Sequence, residues 1–408
     1  MTGPAPLAVM RAGCEGFARL GVAVSGGGDS VAALVLAVEA LGAARVAAVT
    51  VDHGLRPEAA AEAVGVAALC ARLGVAHDVL RWSGPERGNL MDEARAARLA
   101  LIGGWARGRV DAVVLAHTLD DQAETVLMRL ARGSGVDGLS GMAERREAEG
   151  VIWLRPLLGV TREALRSELR ARGVAWVDDP SNDNPRYQRV RARKALAALA
   201  DLGIGAEGLA ATAGRMRRAR GALEAQAQAA LDALVGEDRG TVIIDAGVRA
   251  LEPEIRDRVV AHLLMQLSGA TYRPRLEDLQ RLLSAGQGTL MGCVLTVEGT
   301  GLRLSREAQA VAGLVCPSDQ VWDHRWRAEG PVPGEIRALG EAGLLQLSQQ
   351  ARAGMHTHWR DTGLRRETLA ALPGIWREGA LIAAPLAFWP GEWRLSARPV
   401  AAIVTQRA

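Results

Sequence analysis

The chain has 408 residues, close to half of them apolar and just under a quarter charged. This composition excludes a disordered chain, and the length exceeds what one small core serves, so two or three domains are expected. The net charge is only +3, which provides no global field for nucleic acid, so any such partner must be sought in local charge.

The four cysteines are Cys14, Cys70, Cys293 and Cys316. No two have CxxC spacing, so neither a zinc knuckle nor a redox pair is expected, and their scatter fits a reducing compartment. No signal-like start and no bilayer-length apolar run stands out, so a cytoplasmic protein without a membrane partner is expected. Lys194 is the only lysine, a skew that coding bias explains as well as function does.

In chain order, Gly21 to Val24 reads as a buried strand ending in a glycine turn, followed by a helix from Asp29 to Leu41. Arg45 to Val51 is a second strand, Ala59 to Leu73 a helix, Val75 to Trp82 a strand and Leu90 to Trp105 a helix. Ala112 to Ala116 is a strand and Asp120 to Arg132 a helix. Alternation at this spacing, with near-continuous apolar strands, predicts a parallel Rossmann-like α/β sheet with helices on both faces. A helix from Thr161 to Arg172 leads to Trp176 and a turn-rich cluster at Asp178 to Arg186. Arg189 to Arg220 then reads as basic helix, running on towards Leu234. Mixed α+β character follows from Thr241 to about Leu304. A small separate domain is expected from about Cys316, with five tryptophans beyond Trp322 that read chiefly as core and secondarily as base-stacking groups.

Ser25-Gly26-Gly27-Gly28-Asp29-Ser30 lies between the first strand and its helix. Consecutive glycines let main-chain amides approach an anion, and the helix N-terminus adds partial positive charge. Asp29 suits a magnesium ion beside phosphates or a helix cap. The loop has no lysine, so it is not the GxxxxGK(S/T) loop, nor does it match GxGxxG.

The segment SGGGDS resembles the PP-loop of ATP pyrophosphatases, which cleave ATP between the α and β phosphates. Three further segments resemble those of tRNA(Ile)-lysidine synthetases. They are Val51-Asp52-His53-Gly54-Leu55-Arg56-Pro57; His117-Thr118-Leu119-Asp120-Asp121-Gln122-Ala123-Glu124-Thr125 with Arg132-Gly133-Ser134-Gly135 and Gly138 to Met142; and Asp179-Pro180-Ser181-Asn182 with Asp183 and Tyr187. Val190 departs from the pattern, standing where that segment usually has asparagine, while Arg189, Arg191 and Arg193 keep its arginines. The similarity covers about residues 20 to 195, with a fainter match at Leu290 to Arg306.

The resemblance implies a ligase that uses ATP and Mg2+ to join free L-lysine to C2 of the wobble cytidine of isoleucine tRNA with a CAU anticodon. It proceeds through an adenylated tRNA and releases AMP and pyrophosphate. ATP binding is expected of Ser25, Gly26, Gly27, Gly28, Asp29, Ser30, His53 and His117, with Asp29 also the metal ligand. Catalytic roles are expected of Asp29, Asp121, Arg189 and Arg191. Lysine binding is expected of Asp120, Asp121 and Glu124, for which an N-cap and a surface charge are the bland alternatives. His53 and His117 serve equally well as turn or strand-end residues.

From Arg186 to Arg220 nine basic residues stand against two acids, which directs this stretch to RNA backbone. Contacts to tRNA are expected of Arg129, Arg132, Arg193, Arg217 and Arg218, with a solvated helix end as the alternative for the first two. Arg189, Arg191 and Arg193 alternate at spacing two, so one turns to the site while others meet RNA. The expected domains are 1–188, the adenylating catalytic domain; 189–312, a basic helical linker and α+β tRNA-binding domain; and 313–408, a small α+β domain contacting the acceptor stem. The sequence leaves the oligomeric state open, a homodimer included. A tRNA thiolase using the same adenylated intermediate is the rival reaction, disfavoured by the lack of paired cysteines; a non-catalytic tRNA-binding protein is the other rival.

Overall fold

A computed structural model describes residues 4–52, 54, 58–82, 90–148, 150–178, 188–331 and 333–403. His53 and the segment Asp179 to Tyr187, both singled out above, lie outside them. The chain divides into two compact units, Met1–Gly221 and Ala222–Thr405, and the boundary falls inside a long helix.

The first unit opens with α1 (Pro6–Gly13), β1 (Leu20–Ala23), α2 (Gly28–Leu41), β2 (Val46–Asp52), α3 (Glu58–Leu73), β3 (Ala76–Arg81), α4 (Leu90–Ala106), β4 (Ala112–Val114) and α5 (Leu119–Leu130). It continues with the short α6 (Val136–Leu139), β5 (Arg145–Ala148), β6 (Val151–Leu154), α7 (Arg162–Ala171), α8 (Gln188–Leu199) and α9 (Ala206–Leu234). The sheet order is β3-β2-β1-β4-β6-β5. All pairings are parallel except β5 with β6. The expected parallel sheet is present, with one antiparallel strand, β5, added at its edge. β5 and β6 pair antiparallel, and β5 is exposed, charged Arg-Arg-Glu, which gives no apolar strand signal.

Period-two alternation distributes the strand residues between two cores. Leu20, Val22, Val46, Ala48, Ala112 and Val114 face a core filled from α1, α2, α3 and α7. Ala23, Val49, Val113 and Leu115 face the other, filled by Ile102, Trp105 and Ala106 of α4. Both faces are thus covered, which explains the uninterrupted apolar strands. From β1 the chain winds outward through β2 and β3, then returns to place β4 on the other side of β1. The carboxyl ends of β1 and β4 therefore flank the switch point where open α/β sheets bind ligands.

The continuous basic helix expected over 189–220 is broken. α8 ends at Leu199, Gly203 adopts a left-handed conformation, and α9 leaves at 99°. Gly203 and Gly205 are the local reason. No single described helix is long and apolar enough to cross a membrane.

The second unit holds β7 (Val235–Asp238), β8 (Thr241–Ile244), α10 (Pro253–Ser268), α11 (Leu276–Ala285), β9 (Gly288–Leu290), β10 (Cys293–Glu298) and β11 (Gly301–Arg306). Its five-stranded antiparallel sheet runs β7-β8-β11-β10-β9. Then come α12 (Ala308–Val311), β12 (Val315–Pro317), β13 (Trp326–Glu329), β14 (Glu335–Ala338), α13 (Gly340–Arg352), α14 (Arg366–Ala371), β15 (Pro373–Arg377), β16 (Ala380–Ala383) and β17 (Arg394–Ala397). Two cores form, one over residues 227–304 and one over 311–393. Trp322, Trp326, Trp359, Trp376 and Trp393 are all buried in the latter.

Candidate active site

The phosphate loop leaves β1 and turns directly into α2, with Gly27 in extended conformation as the N-cap. Its shape is set by two serines. Ser30 Oγ accepts from the Ser25 amide at 3.1 Å and donates to the Gly27 carbonyl at 2.9 Å, with Ser25 Oγ 3.2 Å away. A strand-like segment closes one side, where the Val177 amide donates to the Gly26 carbonyl at 3.1 Å. A side chain on Gly28 would place Cβ 3.2 Å from the Trp176 indole, so the loop packs closely against that ring.

The second wall is the start of α5. Thr118 and Asp121 form a capping box: Asp121 Oδ2 accepts from the Thr118 amide at 2.9 Å and its hydroxyl at 3.0 Å, and Thr118 Oγ1 accepts from the Asp121 amide. Such a box contributes about 1 kcal/mol and fixes the carboxylate. One oxygen of Asp121 is thereby taken up, and Oδ1 is left facing the site. Asp120 turns away to accept from the Arg162 amide at 2.7 Å, satisfying the first turn of α7. Asp120, expected at the lysine, thus anchors the start of α7. Glu124 follows one turn after Asp120, its side chain only 3% exposed.

Arg162, which no motif marked, joins the two walls. Its Nε donates to Asp29 Oδ2 at 3.0 Å and its Nη2 to Asp121 Oδ1 at 3.3 Å; Nη1 lies 3.8 Å from Glu124 Oε1. Sequence reasoning missed it because its partners are 133 and 41 residues away. The only local signal was the Thr161 N-cap placing Arg162 at a helix start, where an arginine is unfavourable to the helix dipole.

The arginines of α8 sort by helical spacing. Arg189 and Arg193, four apart, share a face towards α5. Arg189 adds positive potential at Asp121, and Arg193 Nε donates to Glu124 Oε1 at 2.9 Å. Arg191 is exposed between buried Val190 and Ala192. Arg193, expected on tRNA, pairs with the acidic pocket, and Arg191, expected to be catalytic, is exposed.

His117 sits at the end of β4, its Nδ1 accepting from Arg155 Nε at 3.2 Å. Arg129 turns into its own loop and donates to the Gly138 and Gly141 carbonyls at 2.8 and 2.9 Å. Gln122 locks the same loop from the other side, exchanging two hydrogen bonds with the Met142 backbone. Arg132 is exposed and donates to Gln188, Arg217 donates to the Met142 carbonyl at 3.0 Å, and Arg218 is exposed.

Burial and charge set the carboxylates apart. Burial pushes the Asp29 carboxyl up, against the opposing charge of Arg162. Burial likewise raises Glu124, against Arg193. Asp121 is also buried, but the Thr118 amide and the charges of Arg162, His117 and Arg189 outweigh desolvation and hold it below the ordinary carboxylate range. Asp29 Oδ1 and Glu124 Oε2 are buried with no hydrogen-bond partner among the described residues.

A glycine cradle, a paired aspartate and an acidic helix at the switch point of a Rossmann-like sheet define an ATP-using enzyme of the PP-loop class, and the PP-loop domain family matches residues 8–200. The tRNA(Ile)-lysidine synthase of Ruegeria pomeroyi is 46% identical over 368 residues, covering 88% of this chain and 86% of that protein. That of Methylobacterium nodulans is 44% identical over 309 residues, covering 72% and 91%. This chain belongs to the tRNA(Ile)-lysidine synthase family. Among solved structures, the U34-tRNA thiolase NcsA from Methanococcus maripaludis aligns at TM-score 0.44 and 15% identity over 52% of this chain and 77% of that one. So distant a likeness bears on neither reaction nor substrate.

Proposed function

We propose that this protein makes lysidine, joining the ε-amine of free L-lysine to C2 of the wobble cytidine of an isoleucine tRNA with a CAU anticodon at the expense of ATP. The observation that carries the lysine half of this reading is the convergence of Asp121 and Glu124 on Asp29 of the phosphate loop through one guanidinium. An acceptor amine bound by the α5 acids therefore lies beside the phosphates.

The C2 oxygen of the cytidine attacks the α phosphate, and the bond to pyrophosphate breaks. The amine then adds to C2, and AMP departs with the oxygen. The loop amides and the α2 N-terminus hold the phosphates, with Ser25 and Ser30 shaping the cradle. The partly buried ion cluster holds the amine and favours its approach to C2. Glu124, its carboxyl raised by burial, takes the proton that the amine sheds on bonding.

Asp29 Oδ1 has no hydrogen-bond partner among the described residues, so this carboxylate would hold a magnesium ion beside the phosphates. Among the described residues no group of three His, Cys, Asp or Glu is placed to hold a metal unaided, in keeping with an ion that arrives with ATP. When bound, magnesium offsets charge on the leaving pyrophosphate. The exposed arginines Arg132, Arg191 and Arg218 meet tRNA backbone, and the regions over 189–312 and 313–408 extend that contact towards the acceptor stem.

A thiolase would need an exposed, reactive thiolate. Cys14 and Cys70 are buried in the sheet core, and burial raises each thiol to about 11. Incubation with labelled lysine, ATP and isoleucine tRNA tests the reading. Label is expected in tRNA only when ATP is present; folded protein that leaves lysine free would overturn it.

A further inference from the structure

Arg162 lies outside every motif that marks the site, yet its guanidinium occupies the centre of the acidic pocket. It is the first residue of α7, and Asp120 Oδ2 fixes its main-chain amide at 2.7 Å, so the root of the side chain is anchored. Its contacts are graded. Nε is 3.0 Å from Asp29 Oδ2, Nη2 is 3.3 Å from Asp121 Oδ1, and Nη1 is 3.8 Å from Glu124 Oε1. Committed charge-assisted pairs close to about 2.7–2.9 Å, so the hold on the two α5 acids is loose.

Beside this loose grip, Glu124 Oε2 is buried and has no hydrogen-bond partner among the described residues. Leaving a buried carboxylate oxygen without a donor is costly. A guanidinium presents its donors in one rigid fork and, placed as here, lies near only the other oxygen of Glu124. An ammonium is compact, with three rotatable donors, and suits the remaining Glu124 oxygen better.

We propose that Arg162 is a place-holder for the substrate cation. In the ligand-free protein its guanidinium neutralises the space between Asp29, Asp121 and Glu124, and the lysine ammonium enters by displacing it from the α5 carboxylates. The inference rests on the reading of Asp121 and Glu124 as the lysine pocket. It makes Arg162 a positioning residue for specificity, because a cation gains entry only if it satisfies the pocket better than a guanidinium does. It also lowers apparent lysine affinity by the fraction of time that the arginine is out of the way.

The test is calorimetric titration of the full chain with L-lysine, with a thermal melt alongside, for wild type, Arg162→Ala, Arg162→Lys and Glu124→Gln. Arg162→Ala leaves carboxylates uncompensated and removes the competitor, so lysine should bind about tenfold tighter and raise the melting temperature by more than in wild type. Arg162→Lys restores a competing cation and should return affinity to within about threefold of wild type. Ethylguanidinium should compete with lysine in Arg162→Ala and have little effect in wild type. Unchanged or weaker lysine binding in Arg162→Ala would overturn the place-holder role. If Arg162→Ala gives no cooperative melt, Arg162→Gln, which keeps polar length without charge, carries the same expectation. Glu124→Gln should weaken lysine binding; if it does not, the pocket reading fails and takes the proposal with it, an outcome distinct from failure of Arg162→Ala alone.

Discussion

The phosphate loop and the acidic pocket share one sheet edge but are built by opposite means. The loop is main chain: six consecutive residues, a helix N-terminus and two serines bonded to each other's turn. The pocket is side chain: Asp29 from α2, Asp121 and Glu124 from α5, Arg162 from α7 and Arg193 from α8. A site made of backbone is compact in sequence and tolerates little change of conformation. A site made of charged side chains is scattered in sequence and is balanced by its counter-ions, so single substitutions shift its affinity by degrees.

The largest effect is expected where the two halves meet. Asp29→Ala should cut pyrophosphate release from ATP in the presence of tRNA by at least about 100-fold; wild-type release would separate the loop from the chemistry. Next comes a backbone constraint. Gly141 has φ of +70°, and an added Cβ would lie 2.6 Å from Gln122 Oε1. Gly141→Ala should therefore destabilise the fold by about 2 kcal/mol, read from urea unfolding, and loosen the loop after α5. Glu124→Gln should raise KM for lysine about tenfold while changing KM for ATP little. Equal changes in both would erase the distinction between the two halves. Arg218→Ala should weaken tRNA binding a few-fold and reduce the salt slope by about one, whereas Arg217→Ala should act mainly through the Met142 loop that it holds.

The smallest effect is in pH dependence. The folded carboxyl of Asp121 is held below its unfolded value, so its ionisation stabilises the fold above the ordinary aspartate range, near pH 4. That contribution is lost as pH falls through the lowered folded value. Asp121→Asn should flatten this part of the acid limb in urea melts; an unaltered limb would show that the Thr118 capping box does not hold the charge.

What could be read from the sequence follows the same division. The strand–loop–helix order, the glycine loop and the acids of α5 are set by local pattern, and the structure places them together at the ends of β1 and β4. Arg162 was silent because its meaning arises only when residues 29, 121 and 162 meet. The spacing of Arg189, Arg191 and Arg193 excluded a common face but did not say which one faces α5; burial of Val190 and Ala192 decides it. The antiparallel strand β5 was missed because it is exposed and carries charge where strand patterns show apolar residues. The bend after α8 depended on how Gly203 is used, which a basic, helix-favouring stretch obscures.

The most direct measurement is nucleoside mass analysis of isoleucine tRNA after reaction with ATP and lysine. One cytidine should gain the mass of a lysine less one water, with one AMP formed for each. A cytidine that gains sulfur, or ATP cleaved with no change in the base, would contradict the account.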